Sequence, residues 1–145
     1  MSDVLSLSQI RVPGTARSKD DAIREAGEIL VDAGAVTPAY IDSMFERERS
    51  VSTYMGNYLA IPHGTNESKE SIRRSALSVI RYPEPIDWDG NEVLFALGIA
   101  GYQGGHMDIL SRIAIVFSDT DEVDKLLAAG SAQEIYDLLN AVNEE

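Results

Sequence analysis

The sequence contains no cysteine, which excludes disulfide bonds, zinc–thiolate sites and a thiol nucleophile. It also lacks any apolar run near the roughly 20 residues that a membrane-spanning helix needs, so direct membrane insertion is not expected. The first residues, MSDVLSLSQI, have neither the basic start nor the long apolar stretch of a secretory signal. These absences predict a cytoplasmic protein without a disulfide framework.

Basic residues are scarce, because 12 Lys and Arg stand against 24 Asp and Glu and give a formal net charge of -12. A field of this sign repels phosphate backbones, so no nucleic acid is expected as a partner. The charge favours a protein partner with a basic docking face, although solubility alone explains it more simply. Few cationic side chains remain to hold any anion.

Length and composition indicate one globular domain over residues 1–145. Helix and strand signals alternate along the chain, without repeats or linkers, which is typical of an α/β protein. The predicted fold is therefore α/β: a single domain with a mixed, mostly parallel β-sheet flanked by helices on both faces.

Helices are predicted where a capping or helix-initiating residue precedes an apolar periodicity. These starts are Ser18, Thr37 with Pro38, the turn near His106, Asp119 and Ser131. Gly34 is the predicted end of the first helix. The charged run Glu46–Arg49 ends the second helix and is interpreted as a solvated surface.

Three apolar segments are predicted to be strands, and the opening segment through Ile10 is a fourth candidate. The three are Tyr58–Ile61, Ala76–Tyr82 and Val93–Ala100. Pro83 and Pro85 are expected to end the second strand, because proline cannot donate to a strand ladder.

His63 directly follows a predicted strand, in the sequence Ile-Pro-His-Gly-Thr. Ligand sites of open α/β sheets lie beyond the carboxyl ends of strands. Pro62 fixes the backbone before the imidazole, and Gly64 permits a sharp turn after it. We expect an accessible ring beside bare backbone amides of Gly64 and Thr65, which are suited to phosphoryl oxygens.

His106 is the only other histidine and follows Gly104-Gly105 at a predicted helix start. Free N–H groups and the positive end of the helix dipole attract anions there. If the strands before His63 and His106 are parallel neighbours, both loops open at the same end of the sheet and the two rings share one pocket. The alternative is that each histidine is an ordinary polar surface residue.

Other kinds of site are poorly supported. The Gly101–Gly105 loop lacks the lysine and the spacing of a nucleotide-binding P-loop. The carboxylates form no pair typical of a glycosidase. Two histidines among many acids have the ligand types for zinc, but their spacing matches no common metal motif. No metal and no cofactor are therefore predicted.

Two blocks of sequence resemble the mannitol/fructose class of enzyme IIA from the bacterial phosphoenolpyruvate-dependent sugar phosphotransferase system. The first is Met44-Phe45-Glu46-Arg47-Glu48 followed by Met55 to Thr65, and the second runs from Gly98 to Leu110. The resemblance covers nearly the whole chain, from about Leu5 to about Leu139. The mannitol type is the most similar branch.

The resemblance implies a phosphoryl carrier. His63 would accept a phosphoryl group from the phosphocarrier HPr and pass it to a cysteine of the cognate enzyme IIB, which acts with the membrane component IIC on mannitol or a related sugar. Arg47 would stabilise the phosphoryl group, and His106 would be the second active-site histidine. Gly64 and Thr65 are expected to complete a phosphate cradle.

Three apolar side chains near these motifs, Tyr54, Met55 and Met107, are candidates for partner docking, because flexible methionines suit two different partners. The alternative is that the methionines fill the core. Two other functions are compatible with the same residues: a nitrogen-type regulatory phosphoprotein that controls partner proteins, and a metal-dependent hydrolase using His63 and His106.

Overall fold

The computed structural model describes residues 4–65, 70–102 and 106–140. Within these ranges it contains five α-helices and five β-strands. The helices are α1 (Lys19–Asp32), α2 (Ala39–Ser50), α3 (His106–Ser118), α4 (Thr120–Ala128) and α5 (Ala132–Leu139). The strands are β1 (Ile10–Arg11), β2 (Tyr54–Gly56), β3 (Leu59–Ala60), β4 (Ala76–Trp88) and β5 (Asn91–Ala100). A short 3-10 helix, Leu7–Gln9, precedes β1.

One mixed sheet has the strand order β1-β4-β5-β3-β2. The β1–β4 and β3–β5 pairings are parallel, and the β4–β5 and β2–β3 pairings are antiparallel. Buried residues of α1 and α2 pack on one face of the sheet, and those of α3, α4 and α5 pack on the other. The predicted α/β class, mixed sheet and helices on both faces are confirmed.

The predicted helix ends agree closely with the structure. Ser18 Oγ accepts the Asp21 N–H at 3.2 Å, and Ser131 Oγ accepts the Glu134 N–H at 3.2 Å, so both serines are N-caps. Asp119 caps α4 in the same way. Gly34 follows α1 with φ +75°, the left-handed conformation that glycine adopts without strain. In the part of the chain that the structure describes, no helix has the length and apolar character to cross a membrane.

The prediction that Pro83 and Pro85 end a strand is wrong, because β4 continues to Trp88. The β4–β5 register shifts between Arg81 and Ile86, so the two prolines lie in an irregular stretch of the ladder and are exposed. A proline is tolerated at such a bulge because no ladder hydrogen bond is required of it.

The strand predicted at Tyr58–Ile61 is shorter than expected, and the strand before it was missed. β2 and β3 form a hairpin whose turn residues, Asn57 (φ 51°) and Tyr58 (φ 68°), are both left-handed. This conformation matches the twist of two antiparallel strands. The Asn57 side-chain amide donates to the Phe117 carbonyl at 2.6 Å, which ties the turn to the last residues of α3.

Glu25 on α1 is 4% exposed and fixes the loop that follows β1. Its carboxylate accepts hydrogen bonds from Arg11 Nη1 (2.8 Å), from the Thr15 amide (3.0 Å) and hydroxyl (2.9 Å), and from Tyr82 Oη (2.9 Å). Burial alone would raise the pKa of Glu25, but these donors outweigh burial and lower the pKa to about 2. The Glu25 carboxylate is therefore charged, and its hydrogen bonds join α1 to β1 and β4.

Candidate active site

His63 lies where two parallel strands end. It follows β3 and forms an isolated parallel bridge with Ile99, the penultimate residue of β5. The Ile99 N–H donates to the Pro62 carbonyl at 3.1 Å. The side chain is half-buried, so the imidazole is neither in the core nor fully in solvent. This is the sheet edge at which the sequence predicted a site.

The imidazole of His63 is held by its own chain. Nδ1 lies 2.8 Å from the carbonyl oxygen of Ile61. A carbonyl only accepts hydrogen bonds, so Nδ1 of His63 carries a proton in this contact. Among the two tautomers of the neutral ring, the hydrogen bond therefore favours the one with its proton on Nδ1.

The amides after His63 are not bare, and this expectation from the sequence is wrong. The Gly64 N–H donates to Tyr40 Oη at 2.9 Å, and the Thr65 N–H donates to Ser43 Oγ at 2.9 Å. The Thr65 hydroxyl also lies 3.1 Å from Ser43 Oγ. Two hydroxyls of α2 thus take the positions that phosphoryl oxygens were expected to fill.

Tyr40 was not recognised as a site residue in the sequence. It is 2% exposed, and besides accepting from Gly64 its hydroxyl donates to the Ile99 carbonyl at 2.7 Å. Burial raises the pKa of Tyr40 to about 12, and the Gly64 N–H opposes this shift. The hydroxyl therefore keeps its proton at neutral pH.

Arg47 is on the same face of α2 as Tyr40 and Ser43, because positions i, i+3 and i+7 align along a helix. Its side chain is half-buried, and Nη1 donates to the Val51 carbonyl at 2.8 Å. The structure thus places the predicted arginine on the helix face that contacts the residues after His63. The spacing of Tyr40, Ser43 and Arg47 is the sequence pattern that places all three side chains on one face of the helix.

Glu48 corrects the interpretation of Glu46–Arg49 as a solvated run. It is 5% exposed, and its carboxylate accepts from the Thr53 amide (2.8 Å), the Thr53 hydroxyl (2.6 Å) and Trp88 Nε1 (3.0 Å). Thr53 in turn accepts the Ile61 N–H through its carbonyl at 3.1 Å. Glu48 therefore connects the end of α2 to the strand segment that precedes His63.

His106 is the first residue of α3, as predicted, but its side chain and residues 103–105 lie outside the described part of the chain. β3 and β5 are parallel, so the backbone after β5 leaves the sheet at the end where His63 lies. The shared pocket of the two imidazoles stays a prediction.

The three docking candidates differ in exposure. Met55 is 48% exposed and Met107 is 59% exposed, so the alternative in which these methionines fill the core is wrong. Tyr54 is half-buried and packs against the core on the α1 and α2 side of the sheet. Among the residues that the structure describes, no group of three or more His, Asp or Glu side chains is placed to hold a metal ion.

Residues 3–142 match the family model for the phosphoenolpyruvate-dependent sugar phosphotransferase system, EIIA 2. A mannitol-specific phosphotransferase enzyme IIA component from Halalkalibacterium halodurans is 53% identical over 141 residues, which are 97% of each chain. The crystal structure of IIA mannitol from Escherichia coli has a TM-score of 0.86 at 30% identity and covers 93% of this chain and 98% of that one. The complex of enzyme IIAMTL with phosphorylated enzyme IIBMTL from Escherichia coli also gives 0.86 at 30% identity, covering 93% of this chain and 96% of that one.

These similarities confirm the resemblance found in the sequence, including the similarity to the mannitol branch. They extend over the fold and over the segments that carry His63 and Arg47. The chain belongs to the EIIA 2 family of the phosphoenolpyruvate-dependent sugar phosphotransferase system and is a phosphotransferase component of that system.

Proposed function

We propose that this protein carries a phosphoryl group on Nε2 of His63, between phosphorylated HPr and a cysteine of a cognate enzyme IIB, for the uptake of mannitol. The observation that carries the proposal is the 2.8 Å contact of Nδ1 with the Ile61 carbonyl, because a proton held on Nδ1 makes Nε2 the nitrogen that reacts in the neutral ring. The site lies at the end of two parallel strands, where a partner can reach it.

In the first transfer, the Nε2 lone pair of His63 attacks the phosphorus of the donor phosphohistidine. A new N–P bond forms, the donor N–P bond breaks, and its electron pair returns to the donor imidazole. The Nδ1 proton stays on the ring, which becomes a phosphorylated imidazolium held by the Ile61 carbonyl. A protein has little covalent work to do in such a step beyond alignment and charge stabilisation.

In the second transfer, a thiolate of the enzyme IIB partner attacks the same phosphorus. The N–P bond breaks, and its electron pair returns to Nε2. The retained Nδ1 proton makes this release easier, because the leaving group is a neutral imidazole rather than an imidazolate. The same hydrogen bond therefore serves both acceptance and release.

Arg47 stabilises the phosphoryl oxygens in this proposal. An arginine guanidinium presents five N–H donors in a planar fork, and Nη1 of Arg47 supplies one of them to the Val51 carbonyl. His106 donates to a further oxygen at the start of α3. The Thr65 hydroxyl adds a donor, while the Gly64 and Thr65 amides contribute by holding the loop in place.

Met55 and Met107 are the proposed apolar contacts for HPr and enzyme IIB, and half-buried Tyr54 is the third candidate. The solved Escherichia coli neighbour is a complex of its IIA with phosphorylated IIB, which supports the same kind of partner here. The membrane component IIC would act through enzyme IIB, and the protein itself would work in the cytoplasm. No metal or other cofactor takes part in either transfer.

The test is phosphorylation with phosphoenolpyruvate, enzyme I and HPr, followed by transfer to the IIB domain of a mannitol permease. One acid-labile phosphoryl group per chain is expected, and it should move to IIB. His63→Ala should abolish labelling, whereas His106→Ala should retain some labelling and slow the second transfer. Label that persists on the His63→Ala protein would remove the assignment, and label that never reaches IIB would favour a regulatory function.

A further inference from the structure

We propose that Tyr40 is a positioning residue that sets the attack direction of His63. The inference rests on the proposed function, because it concerns how the nucleophilic ring is placed. Tyr40 acts through the backbone on the carboxyl side of His63 and through the end of β5.

The two residues that flank His63 are both tied to Ile99. On one side, the Ile99 N–H donates directly to the Pro62 carbonyl at 3.1 Å. On the other side, the Gly64 N–H donates to Tyr40 Oη at 2.9 Å, and that hydroxyl donates to the Ile99 carbonyl at 2.7 Å. Ile99 thus holds the backbone before His63 directly, and holds the backbone after it through Tyr40.

The hydroxyl is the part of Tyr40 that performs this task. It accepts one hydrogen bond and donates another, and the burial that raises its pKa to about 12 keeps its proton in place. A phenylalanine would keep the buried ring in the core but leave the Gly64 N–H and the Ile99 carbonyl without this partner. Gly64 would then hold its conformation less firmly, since glycine permits many backbone conformations.

Phosphoryl transfer is sensitive to such a change because the phosphorus must lie in line with Nε2. A displacement of about 1 Å in a reacting group costs on the order of a hundredfold in rate. Looser placement therefore slows the transfer step itself more than the binding of the donor protein. A slower transfer step with unchanged affinity for the donor protein therefore distinguishes a positioning role from a general loss of stability.

The experiment compares Tyr40→Phe with the matched variant Tyr82→Phe in the full chain. Both remove one buried tyrosine hydroxyl, but the Tyr82 hydroxyl binds Glu25 instead of a residue beside His63. Rapid-quench single turnovers with phosphorylated HPr give the maximal transfer rate and the half-saturating HPr concentration. We expect Tyr40→Phe to lower the maximal rate about tenfold to a hundredfold, with the half-saturating concentration within about threefold.

Tyr82→Phe should transfer at the wild-type rate even if it is the less stable of the two proteins. A Tyr40→Phe protein with wild-type maximal rate, or a loss shared equally by Tyr82→Phe, would overturn the proposal while leaving His63 as the carrier. Failure of wild-type protein to become labelled at His63 would instead contradict the proposed function.

A second measurement does not depend on how Tyr40→Phe folds. In wild-type protein, the Gly64 amide should exchange with solvent far more slowly than an amide in an open loop, because Tyr40 holds it. Exchange at an open-loop rate would overturn the proposal whatever the variant does. In Tyr40→Phe, faster exchange at Gly64 with unchanged exchange at Thr53 would support it.

Discussion

Ser43 and Thr65 are joined by two hydrogen bonds. Ser43 Oγ accepts the Thr65 N–H at 2.9 Å and lies 3.1 Å from the Thr65 hydroxyl. Ser43 is 9% exposed and Thr65 is half-buried, so both bonds are partly shielded from water. The pair fixes the second residue after His63 to the middle of α2, one turn before Arg47.

Replacing Ser43 with alanine should therefore loosen the His63 loop. We expect the free energy of unfolding to fall by about 1 kcal/mol, because the part-buried Thr65 amide loses its acceptor. The rate of phosphoryl transfer from HPr should fall several-fold. Urea denaturation and single-turnover labelling measure the two effects. Ser118→Ala, which removes an exposed serine bonded to a helix carbonyl, is the control and should change neither quantity.

Changing Arg47 to lysine should slow phosphoryl transfer even though the charge is kept. An ammonium group lacks the planar fork that meets two phosphoryl oxygens at once, and the loss of one such donor typically costs on the order of a hundredfold. Arg49, two residues later and exposed, supplies the matched control. Equal rates for Arg47→Lys and Arg49→Lys would show that Arg47 has no part in the transfer.

Changing Glu48 to alanine should destabilise the end of α2. The Trp88 Nε1–H and the Thr53 amide would both remain buried without an acceptor, which we expect to cost about 3 kcal/mol. Trp88 is the only tryptophan in the chain, so its fluorescence reports the change directly during urea unfolding. Glu46→Ala, at an exposed position of the same helix, should leave the urea concentration at the unfolding midpoint unchanged.

Stability should depend on pH through Glu25. Its pKa is lowered from 4.5 to about 2, so its contribution to folding is fully present above about pH 5 and is lost as the pH falls towards 2. Complete loss corresponds to about 3 kcal/mol. Thermal or urea unfolding between pH 6 and pH 2.5 measures how the free energy of unfolding changes with pH. Glu25→Gln should reduce this pH dependence, while exposed Glu28→Gln should not.

The sequence predicted the parts of the site that depend on local pattern. The Pro-His-Gly motif after an apolar strand located His63 at the sheet edge, and the apolar segments identified β3 and β5 as the strands whose ends meet there. Caps such as Ser18 and Ser131 were predictable because their partners are three residues away. In each case, residues close together in the sequence were sufficient for the prediction.

The sequence did not predict contacts between residues far apart in the chain. Tyr40 meets Ile99 and Gly64, and Glu48 meets Trp88, only because α2 packs against the sheet. Nothing in the neighbourhood of Glu48 distinguishes it from exposed Glu46 except its helix face. The β2–β3 hairpin was missed for a different reason, since two strands of three and two residues have too little periodicity to detect.

The hydrogen bond from Asn57 to Phe117 has a mechanical consequence for the second histidine. It anchors the far end of α3, and α3 is a rod of about 20 Å at a rise of about 1.5 Å per residue. A tilt of about three degrees around that anchor would carry the opposite tip, where His106 begins the helix, by about 1 Å. The hairpin turn therefore holds the end of α3 that lies opposite His106.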